Sequence, residues 1–196
     1  IRIYSLSSFV TLNKGSHPRV ISFRDLMKFC SRCNNMLMVE GIIKPDQLLE
    51  SSIFDNIFAE AVDCFGSAIT EPQALTPLIN VIGETLEIPT SRINLFLSKH
   101  VPIFINDDEK LKIGRAVLKK TAQDKALYNK RLSNNNNTSF ARTNHSLHLM
   151  EQIAVAIEMV EPVLLVGETG TGKTTVVQQV AKLMNKKLTV INVSQQ

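Results

Sequence analysis

The chain has 196 residues, of which 44% are hydrophobic and 20% are charged, and its formal net charge is +4. These proportions are ordinary for folded globular proteins and exclude a predominantly disordered chain. No apolar run approaches the length of a membrane span, and no basic segment followed by an apolar stretch indicates a secretory signal. The length allows one large or two small domains, and we expect a fragment of a longer soluble polypeptide, since the chain begins at Ile1.

The three cysteines, Cys30, Cys33 and Cys64, indicate a reducing compartment. Cys30 and Cys33 have the C-x-x-C spacing, but a second pair or nearby histidines would be needed to complete a zinc site. We therefore predict that these cysteines are thiols of a helical core rather than metal ligands.

Residues 20–105 are predicted to form four helices. Ser22 and Asp25 have the spacing of a capping box, in which each side chain binds the backbone N–H of the other residue. Ser52 and Asp55 repeat that spacing at the start of a second helix, which Pro72 is expected to end. The apolar face of the first helix is predicted to contain Phe23, Leu26, Met27, Cys30 and Leu37.

The other helices of this half show the same amphipathic spacing. The third helix is predicted to start at Thr76-Pro77, with proline at its first position, and the fourth near Thr90. The predicted core side chains of these three helices are Phe54, Ile57, Phe58, Ala61, Val62, Phe65, Ile69, Leu78, Ile79, Ile82, Leu86, Ile93, Phe96 and Leu97. Together, four short helices can enclose a small core.

A basic and polar region follows the helices. Between Lys110 and Leu132 there are eight Lys and Arg residues against Asp124 alone, and Tyr128 is the one aromatic residue among them. Such a run could bind RNA or an acidic protein surface, but the scarcity of aromatic residues favours a solvated linker. Residues 111–117 have the pattern of an edge strand, and the polar stretch 128–146, which includes four consecutive asparagines, is predicted to be a low-complexity linker.

The last part of the chain has an alternating helix and strand pattern. A helix is predicted from Leu147, with Leu149, Met150, Ile153, Ile157 and Val160 on its apolar face. Residues 162–166 are predicted to form a buried strand, a helix follows from Lys173, and residues 188–193 are predicted to form a second strand. The face of the second helix is predicted to contain Val177, Val180, Ala181 and Met184.

Between the first strand and the second helix lies GETGTGKT, a complete G-x-x-x-x-G-K-[ST] phosphate-binding loop in the strand–loop–helix context that it requires. The glycines allow positive φ angles, so successive N–H groups can point at an anion, and the helix N-terminus adds its dipole. Lys173 is expected to reach the β- and γ-phosphates of a nucleoside triphosphate, and the Thr174 hydroxyl to coordinate Mg²⁺. The predicted nucleotide-binding residues are Gly167, Glu168, Thr169, Gly170, Thr171, Gly172, Lys173, Thr174 and Thr175, the last as a spare hydroxyl.

The residues around this loop resemble one family closely. The run EPVLLVGETGTGKT, the preceding MEQIA at 150–154 and the terminal Gln195-Gln196 are similar to the midasin family of dynein-related AAA+ ATPases. Many dynein-like and MoxR-like loops have proline where Glu168 stands. The resemblance is strong over residues 140–196 and looser over residues 18–120.

The resemblance implies the fold of an α/β P-loop NTPase of the AAA+ class. Residues 1–105 would be an all-α lid of one module, 106–146 a linker, and 147–196 the first strands and helices of the next α/β nucleotide-binding domain, with its Walker A loop. Arg24 would be the sensor-2 arginine that contacts a γ-phosphate, a catalytic role alongside that of Lys173.

The resemblance also implies a function. ATP and Mg²⁺ would be the cofactors of a machine that releases assembly factors from nuclear precursors of the large ribosomal subunit, in the nucleolus and nucleoplasm. Its partners would be the remaining AAA modules and the pre-ribosomal particle, with no membrane. Walker B, sensor 1 and the arginine finger would lie beyond Gln196, so we expect this segment alone to be inactive. The alternatives are another dynein-like or MoxR-like machine, or a nucleotide-binding scaffold that does not hydrolyse ATP.

Overall fold

A computed structural model of the chain describes two compact units, which divide between His100 and Val101. The described residues are 21–39, 41, 51–67, 69, 72–121 and 140–192. Among them, no helix is both long and apolar enough to cross a membrane. The assignment of 1–105, 106–146 and 147–196 as a lid, a linker and a nucleotide-binding domain stays a prediction.

The first unit contains four described helices: α1 (Phe23–Val39), α2 (Ser51–Gly66), α3 (Pro72–Thr85) and α4 (Thr90–Lys99). The predicted start of the fourth helix at Thr90 is confirmed. The third helix begins at Pro72 rather than at Thr76, and Pro77 lies inside it. Pro72 satisfies the preference for proline at a helix start, whereas the internal Pro77 costs a backbone hydrogen bond that this helix tolerates.

Of the two predicted capping boxes, only the first forms. Asp25 Oδ2 accepts from the backbone N of Ser22 at 2.9 Å, and Ser22 Oγ accepts from the backbone N of Asp25 at 3.4 Å. Helix α2 begins at Ser51, so Asp55 lies beyond its first turn. Its carboxylate instead accepts from Arg92 Nε at 2.7 Å and from Nη2 at 3.0 Å, which joins α2 to α4.

The buried face of α1 differs from the predicted one. Phe23 and Met27 are 76% and 53% exposed, whereas Phe29 and Arg32 are buried. The ring of Phe29 packs against that of Phe65, and Arg32 forms a buried ion pair with Glu60 at 3.0 Å. A prediction from apolar residues alone gives the wrong orientation of α1 about its axis, because the paired Arg32 occupies a core-facing position.

The other helices of this unit place most of the predicted residues in the core or against it, but Phe54 on α2, predicted as a core residue, is exposed. The buried residues of this cluster are Phe29, Phe58, Ala61, Cys64, Phe65, Leu78, Ile79, Ile82 and Ile93. Leu97 is 52% exposed and is the exception on α4. The core-thiol prediction for the C-x-x-C pair holds partly for Cys33 and is wrong for Cys30, which is exposed, whereas Cys64 is buried.

The second unit contains a three-stranded antiparallel sheet with the order β1 (Phe104–Asn106), β2 (Lys110–Ile113) and β3 (Ala116–Lys119). Where the sequence predicts one strand over 111–117, the structure has a hairpin, since the chain reverses at Gly114-Arg115 and Ile113 pairs with Ala116. The alternating apolar residues of β2 and β3 therefore face the same side.

Two helices cover that side of the sheet, α5 (Asn144–Glu158) and α6 (Lys173–Leu183). The shared core consists of Leu111, Ile113, Ala116, Leu118, Met150, Ile153, Ala154, Val155, Val176, Val180 and Met184. Helix α5 begins three residues before the predicted Leu147, and Val160, predicted on its apolar face, is 90% exposed.

The residues just before α5 fall within the predicted polar stretch 128–146, and some of them contact the second unit. Thr143 caps the helix in a reciprocal capping box with Ser146, and the Arg142 guanidinium lies 4.5 Å from the centre of the Phe104 ring. Phe140 also packs against the core. The asparagine run and Lys125, Lys130 and Arg131 of the basic run lie outside the described residues.

The two predicted strands around the phosphate loop are not strands in this structure. Residues 161–168 and 186–192 have no regular secondary structure, and Val166 and Ile191 are 79% and 81% exposed. A strand needs a neighbouring strand for its backbone N–H and C=O groups. Within the described ranges neither segment pairs with the sheet of residues 104–119. Most of their apolar side chains are exposed, whereas Leu165 packs against the core.

Candidate functional site

The predicted phosphate loop connects the irregular segment 161–166 to the first turn of α6. Gly170 and Gly172 have φ angles of +86° and +81°, which non-glycine residues rarely adopt. Gly172 is the N-cap of α6, and Lys173 is its first residue. The prediction that glycines give this loop positive φ angles before a helix is confirmed at these two positions.

The ammonium group of Lys173 lies inside the loop. Its Nζ donates to the carbonyl oxygens of Gly167 and Glu168 at 2.9 Å and 2.5 Å, and to Thr171 Oγ1 at 3.0 Å. An ammonium has three protons, so these three acceptors satisfy it completely. The structure thus places a positive charge where the sequence predicts that a phosphate binds.

Thr171 contributes two contacts to this arrangement. Besides accepting from Lys173, its hydroxyl donates to the carbonyl oxygen of Glu168 at 2.9 Å. The carbonyl oxygens of Gly167 and Glu168 both point at the ammonium. The inward-pointing N–H groups that would bind an anion therefore stay a prediction for the loop with an anion bound. The sequence identified Thr171 as a loop residue but not this bridging position.

The other predicted binding residues lie on the open side of the loop. Glu168, Thr169, Thr174 and Thr175 are exposed. Thr174 is the second residue of α6, so its hydroxyl stands at the helix N-terminus where a magnesium ligand is expected. Its role as a metal ligand stays a prediction.

A buried helix face supports the loop. Val176, Val180 and Met184 are 2%, 1% and 3% exposed, and they pack against α5 and the sheet. The sequence predicted Val177 on this face, but the fully buried residue is its neighbour Val176. Because α6 is fixed by this core, the backbone of Lys173 is held on a rigid element.

A second support was missed by sequence reasoning. Arg115 Nε and Glu151 Oε1 lie 3.0 Å apart, with side chains 5% and 3% exposed, and they join the hairpin to α5. The available signal was Gly114, which divides two alternating apolar runs and marks a turn. The solvated-linker interpretation of the basic run is wrong for Arg115.

Arg24, the predicted sensor-2 residue, lies in the first turn of α1 in the helical unit, and its side chain is exposed. Its assignment stays a prediction.

Both halves of the chain are similar to known protein families. Residues 2–89 match the family model described as the midasin AAA lid domain, and residues 128–196 match that of the P-loop containing dynein motor region. Midasin from Dictyostelium discoideum is 37% identical over 197 residues, covering 91% of this chain and 3% of that protein.

Midasin from Giardia intestinalis is 54% identical over 55 residues, which is 28% of this chain and 1% of that protein. No solved structure matches the chain. This chain therefore spans only a few per cent of the length of the relatives that it matches.

Proposed function

Because the chain belongs to the midasin family of AAA+ proteins, we propose that residues Gly167 to Thr175 bind ATP and Mg²⁺ in the intact protein. The observation that carries the proposal is the position of Lys173, whose ammonium is held within the loop at the first residue of a buried-face helix. A phosphate group that enters the loop meets this charge together with the positive end of the helix dipole.

The residues have distinct roles in the proposed complex. Lys173 exchanges its bonds to loop oxygens for bonds to the β- and γ-phosphates, and Thr174 supplies a hydroxyl ligand to Mg²⁺. The glycines Gly167, Gly170 and Gly172 let the backbone approach the phosphates closely. Magnesium neutralises the phosphate charge, and the protein positions the nucleotide.

The wider proposal concerns the intact protein. It is a mechanochemical ATPase that releases assembly factors from precursors of the large ribosomal subunit, in the nucleolus and nucleoplasm. ATP binding and hydrolysis would move lids against neighbouring α/β domains. The support is the resemblance of both halves of this chain to midasin, a lid followed by a P-loop segment.

The direct test is Lys173→Ala in the full-length protein, with ATP binding measured at this module. We expect affinity to fall at least tenfold, because the charge inside the loop is lost. The matched control is Lys186→Ala, which removes an exposed lysine in the turn after the same helix. Unchanged nucleotide occupancy in Lys173→Ala would refute the site.

ATP turnover in a protein extended through the complete α/β domain separates a motor from a scaffold. Hydrolysis that depends on Lys173 supports the motor, and binding without hydrolysis assigns a structural nucleotide site. In cells, loss of the protein should cause large-subunit precursors with retained assembly factors to accumulate in the nucleus. Normal precursor processing would contradict the ribosomal role.

Arg24 is proposed to contact the γ-phosphate bound by the preceding module, since an always-charged guanidinium at a helix start suits that task. Arg24→Ala in the full-length protein should lower turnover without weakening ATP binding at the Lys173 site. Lys99→Ala, a change of an exposed cation elsewhere in the helical unit, is the control. Equal turnover in the two variants would remove Arg24 from the mechanism.

A further inference from the structure

We propose that Thr171 is a positioning residue, whose hydroxyl holds the Lys173 ammonium in place before the nucleotide arrives. The inference rests on the proposed nucleotide site and assigns a task to one side chain within it. Its basis is the pair of hydrogen bonds that a single hydroxyl makes inside the loop.

The direction of these bonds is fixed by the chemistry of the groups. A carbonyl oxygen can only accept, so the bond of 2.9 Å between Thr171 Oγ1 and the Glu168 carbonyl uses the hydroxyl proton. The hydroxyl lone pairs are then directed away from Glu168. One of them faces Lys173 Nζ at 3.0 Å, and an ammonium can only donate.

Glu168 completes a closed set of contacts. Its carbonyl oxygen accepts from both the Thr171 hydroxyl and the Lys173 ammonium, so Oγ1, Nζ and this oxygen are mutually bonded. The Thr171 hydroxyl thus fixes the loop carbonyl and the lysine at once. Removing the hydroxyl would remove one hydrogen bond from the Glu168 carbonyl and one from the Lys173 ammonium.

This arrangement favours binding because a free lysine side chain samples many rotamers, which it must give up when it binds a phosphate. Holding the ammonium inside the loop removes part of that freedom before the ligand binds, and preorganisation of this kind raises affinity. The contrary possibility is that the bond to Thr171 only competes with the phosphate. The two ideas predict opposite changes in ATP affinity when the hydroxyl is removed.

Two substitutions separate the hydroxyl from the shape of the side chain. Thr171→Val keeps the branched shape and loses the hydroxyl, whereas Thr171→Ser keeps the hydroxyl and loses the methyl group. Thr189→Val, at an exposed threonine after α6, is the control for the substitution itself.

The first measurement is the affinity of this module for ATP with Mg²⁺ in the full-length protein. We expect Thr171→Val to weaken it roughly three- to tenfold, as the loss of one typical hydrogen bond would, and Thr171→Ser to bind like the unaltered protein. Impairment of the serine variant alone would indicate packing and overturn the proposal. Equal or tighter binding by the valine variant would overturn it too.

The second measurement needs no nucleotide. Carbon-13 relaxation at the Lys173 side chain reports its order in the free chain, which should fall in Thr171→Val and persist in Thr171→Ser. Unchanged order in Thr171→Val overturns the positioning role whatever the affinities are. Conversely, if order falls as expected but the full-length protein does not bind ATP at this module, the nucleotide site fails and the contact between Thr171 and Lys173 stands.

Discussion

Glu151 and Arg115 form a buried pair in which one carboxylate oxygen accepts two hydrogen bonds from the same residue. Glu151 Oε1 lies 2.9 Å from the backbone N of Arg115 and 3.0 Å from its Nε. The pair joins the β2–β3 turn to α5, the helix that leads into the phosphate-loop segment. The hairpin is therefore part of the support of the loop, although the sequence suggested a linker there.

Glu151→Ala should strongly destabilise the second unit. Removing one partner of a buried ion pair takes a compensating charge away from the other, at a typical cost of about 3–5 kcal/mol. Urea denaturation followed by circular dichroism measures the change in the free energy of unfolding. The control is Glu109→Ala, at an exposed glutamate between β1 and β2, which should unfold like the unaltered chain. Equal midpoints for the two variants would show that the pair is not essential.

Gly114→Ala should also destabilise this unit, for a separate steric reason. Gly114 has a φ of +55°, and an added Cβ would lie 2.0 Å from Glu151 Oε1. The matched control is Gly41→Ala, where φ is +72° and no atom lies within 4 Å of the added Cβ. Both variants bear the backbone cost of about 1 kcal/mol, and only Gly114→Ala adds the clash. Equal losses of stability would exclude the clash.

The parts of the fold that follow local rules could be predicted from the sequence. The Ser22 and Asp25 capping box, the start of α4 at Thr90 and the loop glycines before Lys173 each depend on residues within one turn. Local hydrogen bonding and backbone conformation determine such features, so short patterns identify them.

Features that depend on distant partners could not be predicted. Arg32 is buried because Glu60 neutralises its charge. Asp55 pairs with Arg92 and does not cap α2. No spacing in the sequence indicates either pairing. Similarly, residues 162–166 have the composition of a strand, but a strand also needs a paired neighbour.

Cys64 should make the helical unit less stable at alkaline pH. Burial raises the pKa of its thiol from 9.0 to about 12, with the charges of Arg32 and Glu60 as smaller opposing influences. Between these values the unfolded chain loses the thiol proton and the folded chain keeps it, so the unfolded state binds fewer protons. The free energy of unfolding therefore falls as pH rises from about 9 to 12, by at most about 1.4 kcal/mol per unit.

The measurement for Cys64 is the slope of unfolding free energy against pH, compared with that of Cys64→Ala. The alanine variant should be less stable at neutral pH because of the cavity, but its alkaline slope should be shallower. Alkylation at pH 8 gives an independent check, since exposed Cys30 should react in the folded chain well before buried Cys64. Identical slopes, or equally fast alkylation, would contradict the shielding of this thiol.

Val160→Gly should stabilise the second unit, which is unusual for a change to glycine. Val160 follows α5 with a φ of +55° and is 90% exposed, so its branched side chain has backbone strain and little packing in return. Glycine relieves a strain of about 1–2 kcal/mol, but it also raises the conformational entropy of the unfolded chain, which offsets part of that gain. We expect the free energy of unfolding to rise by about 0.5–1 kcal/mol.

The bond from the Glu161 backbone N to the Ala156 carbonyl, at 2.8 Å, depends on that left-handed residue. It should persist in Val160→Gly, because glycine adopts the same conformation readily. Asn185→Gly is the control, since Asn185 follows α6 with a φ of +57° and asparagine tolerates this region better than valine. Thermal unfolding should show a clear rise in Tm for Val160→Gly and a smaller one for Asn185→Gly. A lower Tm for Val160→Gly would show that the conformation at Val160 is not strained.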